Sequence, residues 1–442
     1  MAHKKPPPPP VLDSAITSSL TRRRHSSTLR RLTLPPQDSI DFSSNDFLSL
    51  ASSADLRQRY LAELTLCPTF PLGSGGSRLL DGNTPYAESL ENLIADFHNA
   101  PTALLANSGF DANVAIFSTL PQPGDVIVYD ELIHASVHDG MRASRIPSSH
   151  RFSFRHNDVS AFSSVLKHIL SHVPSILAGK ASLFIALEAI YSMDGDITPL
   201  AALISTLDAL APPQVQRNTH IVIDEAHATG VLGPRGRGLV CALGLEHRIS
   251  IRLHTFGKAL AANGAAILCS QTQKQYLLNY ARPLIYTTFL SFPALALVRS
   301  AYSLMQDGAT EPLVKSLNAN LHLLWSGLVA LQARVATSDD YSAGKSILSV
   351  SIAPPRSPIF SVESSRPREL AAFCQANGFL VRPIVPPTVP AGSERVRVCL
   401  HAGNTEDEIA GLVAAMSRWC DGVMEEGKAR TATARVEERA KL

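Results

Sequence analysis

Alternating strand and helix patterns over residues 41 to 299, then a helix-first pattern that gives way to strands over 300 to 420, predict an α/β protein. The expected architecture is a large domain, a mostly parallel sheet between helices, with a smaller C-terminal α+β domain closing over it. Short apolar runs bounded by breakers carry the first half of this reading: Thr102 to Ala106, Asp125 to Tyr129, Leu183 to Leu187, His220 to Ile223 and Ala265 to Cys269. Runs of that length without polar alternation suit strands covered on both faces. The second half rests on the change of pattern after Arg299.

Taken in order, Thr84 and Pro85 supply a cap and a first-turn proline, and Leu90, Leu93, Ile94 and Phe97 recur at helical spacing. Asn107-Ser108-Gly109-Phe110 follows a strand candidate and opens a helix, a place where backbone N–H groups can receive a phosphate. A plain strand-to-helix turn reads the same way. Leu313 to Leu331 is a long amphipathic helix, followed by strand candidates Ile347 to Ile352, Ile359 to Val362 and Val396 to Leu400. Pro367 and Gly378 bracket a short helix, and Thr405 with Glu408 forms a capping box before Ile409, Leu412, Val413 and Met416.

Composition narrows the function classes. The chain has 442 residues, 45% hydrophobic and 18% charged, enough for two cores. A net charge of +2 gives no argument for nucleic acid or an anionic membrane. Six scattered cysteines, Cys67, Cys241, Cys269, Cys374, Cys399 and Cys420, form no metal pair or disulfide framework and point to a reducing interior. No apolar stretch reaches the roughly 18 residues of a membrane span. Residues 1 to 40 form an arm with Pro6 to Pro10, Arg22, Arg23 and Arg24, and one acid, Asp13, before position 38. This reads as a flexible arm or an organelle transit peptide. Residues 421 to 442 read as a fraying tail, ending in Ala440-Lys441-Leu442. That ending resembles the Ser-Lys-Leu address read by the peroxisomal import receptor, so a peroxisomal location is expected, with mitochondrion and cytoplasm as alternatives.

The chemistry concentrates around two residues. His220 to Ile223 delivers Asp224-Glu225-Ala226-His227, and a little over thirty residues later Lys258 stands in His254-Thr255-Phe256-Gly257-Lys258-Ala259-Leu260. A lysine among small and apolar neighbours loses hydration, which lowers its pKa towards a usable amine. A carboxylate ending an apolar run needs a cation to meet it. Together they suit pyridoxal phosphate (PLP): the lysine takes the aldehyde, and the carboxylate keeps the pyridine nitrogen protonated. A surface lysine in a strand-to-helix loop is the plainer alternative. His134, in Leu132-Ile133-His134-Ala135-Ser136, reads alone as a core histidine, and Gly73 to Arg78 as a glycine-rich loop. Asp224 to His227 also spells the acidic box of one ATPase class. That class needs a phosphate loop ahead of the box, whereas Gly344-Lys345-Ser346 lies after it, with Asp339 where the first glycine belongs. A non-catalytic scaffold subunit is disfavoured by the presence of Lys258.

From about Asp41 to Cys420 the chain resembles the α-oxoamine synthases, fold type I PLP transferases that condense an amino acid with an acyl-CoA. The resemblance is carried by Phe42 to Asp46, Gly73 to Arg78, Gly109-Phe110, His134-Ala135-Ser136, Tyr191 to Asp196, Asp224 to Gly230, Thr255 to Lys258 and Pro387 to Gly392. It implies Lys258 as the coenzyme-linking lysine, Asp224 as pyridinium partner, His227 as donor to the ring oxygen and His134 stacked on the ring. Gly109, Phe110, Ser192 and Thr255 would complete the coenzyme site, with Thr255 on the phosphate. Thr388 matches a substrate-contacting threonine and Arg30 an N-terminal arginine that meets the acyl substrate. A homodimer with shared active sites is also implied.

Two positions depart from the family pattern. Val385 stands where many synthases have an arginine three residues before Thr388, so Arg382 must take over the grip on a substrate carboxylate or the task falls elsewhere. The stretch between Arg30 and Asp41 is shorter than usual. The Pro387 to Gly392 segment favours the branch that joins alanine to pimeloyl-CoA in biotin biosynthesis. Other branches use glycine with acetyl-CoA or succinyl-CoA, or serine with a long-chain acyl-CoA.

Overall fold

The computed structural model describes residues 10–26, 28–336 and 347–439, with side chains as far as Ala429. Pro6 to Pro9, Asp339, Gly344-Lys345-Ser346 and Ala440-Lys441-Leu442 lie outside the described residues. The chain divides into two compact units, Met1–Ser39 and Ile40–Leu442. Among its described residues the first contains one helix, Val11–His25, with no buried residue and with Arg22, Arg23, Arg24 and His25 in its last turn. Cations there complement the exposed carbonyls of a helix C-terminus.

In the second unit, seven strands form the main sheet: β1 (Thr102–Ala106), β2 (Val126–Asp130), β3 (Arg151–Phe154), β4 (Leu183–Glu188), β5 (Thr219–Asp224), β6 (Ile251–Thr255) and β7 (Ala265–Cys269). Their order is β1-β7-β6-β5-β4-β2-β3. Only β7 runs against its neighbours. Alternate residues feed two cores. Ile221 and Ile223 join a large cluster on one face, and Val222 joins a second cluster on the other with Ile127, Phe184 and Leu253. This is why β5 reads as one continuous apolar run.

Two strands of the main sheet were not legible in the sequence. β3 is a four-residue edge strand. β6 carries Arg252 and His254, buried at 3% and 0% exposure, so it lacks an apolar pattern. Arg252 is satisfied by Asn99 O and Cys241 Sγ, and His254 Nδ1 by Thr229 Oγ1 at 2.9 Å. Because β6 precedes β7 directly, Lys258 lies in a strand-to-strand turn, not a strand-to-helix loop.

The C-terminal part folds as expected into a small antiparallel sheet of β8 (Ile359–Glu363), β9 (Arg382–Ile384) and β10 (Arg395–Cys399), with β10 central. Helices Glu311–Ala336, Pro367–Ala376 and Glu406–Arg439 accompany it. The Thr405 capping box is formed in both directions. The expected strand Ile347 to Ile352 reduces to a single bridge, Ser349 with Glu363, because Val350 N–H is taken by the Gln332 side chain. The last helix continues past Glu425 to Arg439. Val423 is buried, Glu426 pairs with Arg366 at 3.0 Å, and the sequence beyond is rich in helix formers.

Candidate active site

In a mostly parallel sheet, the groups that bind ligands gather outside the carboxyl ends of the strands. Strands β1, β2, β4, β5 and β6 each deliver one here. β1 runs through Asn107 and Ser108 into the helix Gly109–Thr119, where the Ser108 hydroxyl accepts from Asp111 N–H at 3.0 Å. That cap leaves other first-turn N–H groups, those of Gly109 and Phe110, available to an anion. A Cβ on Gly109 would strike Cγ2 of Thr255 at the end of β6, so only glycine lets these two elements close on a common point.

β2 ends in Asp130, whose Oδ1 meets His156 Nδ1 at 2.8 Å, and His156 Nε2 meets Asp196 Oδ2 at 2.6 Å. Burial works against the charged imidazole, but the hydrogen bonds it donates to both carboxylates prevail and push its pKa up to about 10. The triad fastens the Tyr191 to Asp196 loop, which carries Ser192, to the sheet. A folded pKa above the ordinary 6.5 gives stability that is complete below pH 6.5 and lost as pH rises through about 10. His156→Gln is therefore expected to cost about 3 kcal/mol near neutrality, with the gap in thermal midpoint narrowing towards pH 10. Differential scanning fluorimetry across that range measures it.

β2 then leads to His134, which caps the helix Ala135–Ala143 through its own ring nitrogen. Its Nδ1 lies 2.7 Å from Ser136 Oγ and 3.2 Å from Ser136 N. The ring faces Phe110 edge-on at 6.4 Å. Burial and Lys258 lower the imidazole pKa, against the pull of Asp224 and Asp139.

β4 and β5 place Glu188 and Asp224 in register, side by side. Burial, reinforced by Asp224, raises the Glu188 carboxyl well above the usual range. Asp224 Oδ1 accepts Ala226 N–H at 2.9 Å and Oδ2 accepts Asn113 Nδ2 at 2.8 Å. Glu225, next in the chain, turns away and receives the N–H groups of Leu239 and Val240, so the acidic box is split between a site and a helix cap. His227 is 5% exposed, and its Nδ1 has no hydrogen-bond partner among the described residues. Burial, then Lys258 and Arg397, hold it well below its ordinary pKa, so it is a neutral imidazole with an unmet polar atom.

Lys258 follows β6. Its turn is held by backbone bonds from Phe256 N to Gly264 O, Ala261 N to Lys258 O and Ala262 N to Phe256 O. Burial lowers the amine pKa; Asp224 and Glu188 oppose this, and Arg397 assists it. Lysine, aspartate and both histidines thus share one electrostatic neighbourhood.

The sequence reading missed four residues here: Asn113, Ser136, Glu188 and Arg397. Arg397 Nε donates to Ser192 O at 2.6 Å and Nη2 to Asn45 Oδ1 at 2.9 Å. The signal was present, since Arg395-Val396-Arg397-Val398 puts charges into a buried strand, where a partner is obligatory. Arg395 finds Asp194, and Arg397 lines the site. Arg382 stands opposite Arg397 across β9 and β10, and opposed residues share a face. Arg382 and Arg397 thus lie on one face of the small sheet. Thr388 is exposed on the segment after β9. Arg30 is exposed in the first unit and is described with that unit alone.

Comparison with known proteins agrees with this arrangement. Residues 37–416 match the family model Aminotransferase class I and II. The 8-amino-7-oxononanoate synthase of Emericella nidulans is 51% identical over 402 residues, covering 91% of this chain and 94% of that protein. The aminoacyl transferase sphA of Aspergillus fumigatus is 42% identical, covering 87% and 81%. A serine palmitoyltransferase structure from S. paucimobilis superposes with a TM-score of 0.76 at 22% identity, covering 94% of this chain and all of that one. Fold and site define a PLP-dependent transferase of fold type I. The chain belongs to the aminotransferase class I and II family and, within it, to the α-oxoamine synthases.

The residues present fit the coenzyme. His227 Nδ1 lacks a partner among the described residues, a side chain at 109 would collide with Thr255, and burial lowers the pKa of the Lys258 amine while Asp224 opposes it. Thr255 and the N–H groups of Gly109 and Phe110 suit its phosphate, Asp224 its ring nitrogen, His227 its ring oxygen, and Lys258 its aldehyde.

Proposed function

We propose that this enzyme condenses L-alanine with pimeloyl-CoA to give 8-amino-7-oxononanoate, CoA and carbon dioxide in biotin biosynthesis, acting as a homodimer. The observation that carries the substrate assignment is 51% identity along nearly the whole length of the Emericella nidulans synthase, with Lys258, Asp224, His227 and His134 assembled in one site. The 42% identity to an aminoacyl transferase supports a second reading within the same chemistry, another pairing of amino acid and acyl-CoA.

When bound, the coenzyme supplies an aldehyde that tethers an amino group and a cationic ring that draws electrons from the adjacent carbon. The chain's own groups do the rest. Lys258, its amine pKa depressed by burial, takes the α-proton of the amino acid and later returns a proton to the product. Asp224, held by Ala226 and Asn113, keeps the ring nitrogen protonated throughout. With the coenzyme bound, His134 would cover one face of the ring and exclude water there. Arg397, with Arg382 beside it, receives the substrate carboxylate, which answers the absence of an arginine at Val385.

Arg397→Lys keeps the charge but loses the planar fork. It is expected to raise KM for the amino acid about 10- to 100-fold, the scale of one lost charged hydrogen bond, while KM for the acyl-CoA changes little. Steady-state kinetics with each substrate varied in turn separate the two. The assignment itself is tested by offering the purified enzyme a matrix of alanine, glycine and serine against pimeloyl-, acetyl-, succinyl- and palmitoyl-CoA and measuring CoA release. Preference for alanine with pimeloyl-CoA is the expected result; a higher kcat/KM for another pair overturns it.

A further inference from the structure

A line of hydrogen bonds joins Asp224 to His134, and chemistry at one end fixes its direction. As the partner of a protonated ring nitrogen, Asp224 is ionised and can only accept. The Asn113 atom 2.8 Å from its Oδ2 is therefore the amide nitrogen. That nitrogen carries a second hydrogen, and Ser136 Oγ lies 3.0 Å away to receive it. Ser136 Oγ, having accepted, directs its own hydrogen at His134 Nδ1, 2.7 Å away. The Ser136 backbone N–H also points at Nδ1, at 3.2 Å. Two donors aimed at one ring nitrogen require a bare lone pair there, so the imidazole hydrogen is on Nε2.

The reverse arrangement is penalised twice. A hydrogen on Nδ1 would face the Ser136 N–H, and the Ser136 hydroxyl would lose its acceptor at a position with 0% exposure. Asn113 is 2% exposed, so water cannot readily replace either partner. The charged and titratable groups around the ring are Asp224, Lys258 and Asp139, with His138, His227 and the Glu188 carboxyl, which takes the His134 backbone N–H, close by.

We propose that Asn113 and Ser136 are positioning residues that lock His134 as a neutral Nε2–H donor by relaying the charge of Asp224 to its Nδ1. The inference rests on the reading of Asp224 as the ring-nitrogen partner. Its consequence is a division of labour. His134 can donate a hydrogen bond to a carboxylate or thioester oxygen of the substrates but cannot accept the α-proton, which leaves Lys258 as the base.

The test is the tautomer itself, read by long-range 1H–15N correlation in holoenzyme labelled with [15N]histidine, with His134 identified among the 15 histidines by loss of its signals in His134→Asn. The wild type is expected to show a pyridine-type Nδ1 and a protonated Nε2 from about pH 6 to 9. Ser136→Ala should mix the tautomers and move the acid limb of the kcat profile upward by about one pH unit, a roughly tenfold loss on that limb. Ser136→Thr, which keeps the hydroxyl, should restore both. A wild-type Nδ1–H form or imidazolium in that range overturns the proposal, as does a Ser136→Ala enzyme with unchanged tautomer and profile. If a variant fails to fold, the wild-type spectrum alone decides. The spectrum is taken without acyl-CoA, so a different substrate pair in the matrix assay would overturn the substrate assignment and leave this inference standing.

Discussion

Lys258→Ala is expected to lose the visible absorbance of the bound coenzyme and to reduce condensation by at least about a thousandfold, the scale of removing both the covalent anchor and the general base. The fold should survive. The turn that presents Lys258 is closed by backbone bonds among Phe256, Ala261, Ala262 and Gly264, and none uses the lysine side chain. Removing the amine also removes a group whose protonated form Arg397 disfavours. Circular dichroism and the thermal midpoint of the coenzyme-free protein should match the wild type, while CoA release falls to background. Undiminished turnover by this variant would exclude Lys258 as the reacting amine.

Asp224→Asn is expected to retain part of the coenzyme but to slow α-proton exchange of alanine by about a hundred- to a thousandfold, the cost of losing one pre-organised electrostatic partner. Retention follows because Lys258 and the cradle of Gly109, Phe110 and Thr255 remain. The loss has two causes. An amide cannot keep the ring nitrogen protonated, and its NH2 would face one of two existing donors, Ala226 N–H or Asn113 Nδ2. Exchange of the alanine α-hydrogen in deuterium oxide, followed by proton NMR, isolates this step from acyl transfer. Exchange at the wild-type rate would remove Asp224 from its assigned role.

The sequence revealed those parts of the site that violate a local expectation. Asp224 ends an apolar run and Lys258 sits among small apolar residues, so each shows a charge where burial is expected. Gly109 was visible because a glycine opening a helix after a strand is a recognisable pattern. Asn113 and Ser136 were not. Each is an ordinary polar residue at a helical position, and their meaning comes from a contact between two helices brought together by the sheet. Arg397 depended on pairing across β9 and β10, although its burial between valines was a usable clue. The same logic holds for the fold. β5 declared itself by its unbroken apolar run, whereas β6 hid behind Arg252 and His254, whose partners at Asn99, Cys241 and Thr229 lie elsewhere in the chain. The last helix was masked by charge, which suits an exposed helix as well as a loose tail.

The central claim is that one amine in this chain carries the coenzyme across from Asp224. Borohydride reduction of the coenzyme-loaded enzyme, followed by proteolysis and mass spectrometry, locates that amine directly. The account predicts a single pyridoxyl-phosphate label on the peptide containing Lys258. A label on another lysine, or none after saturation with coenzyme, would contradict it.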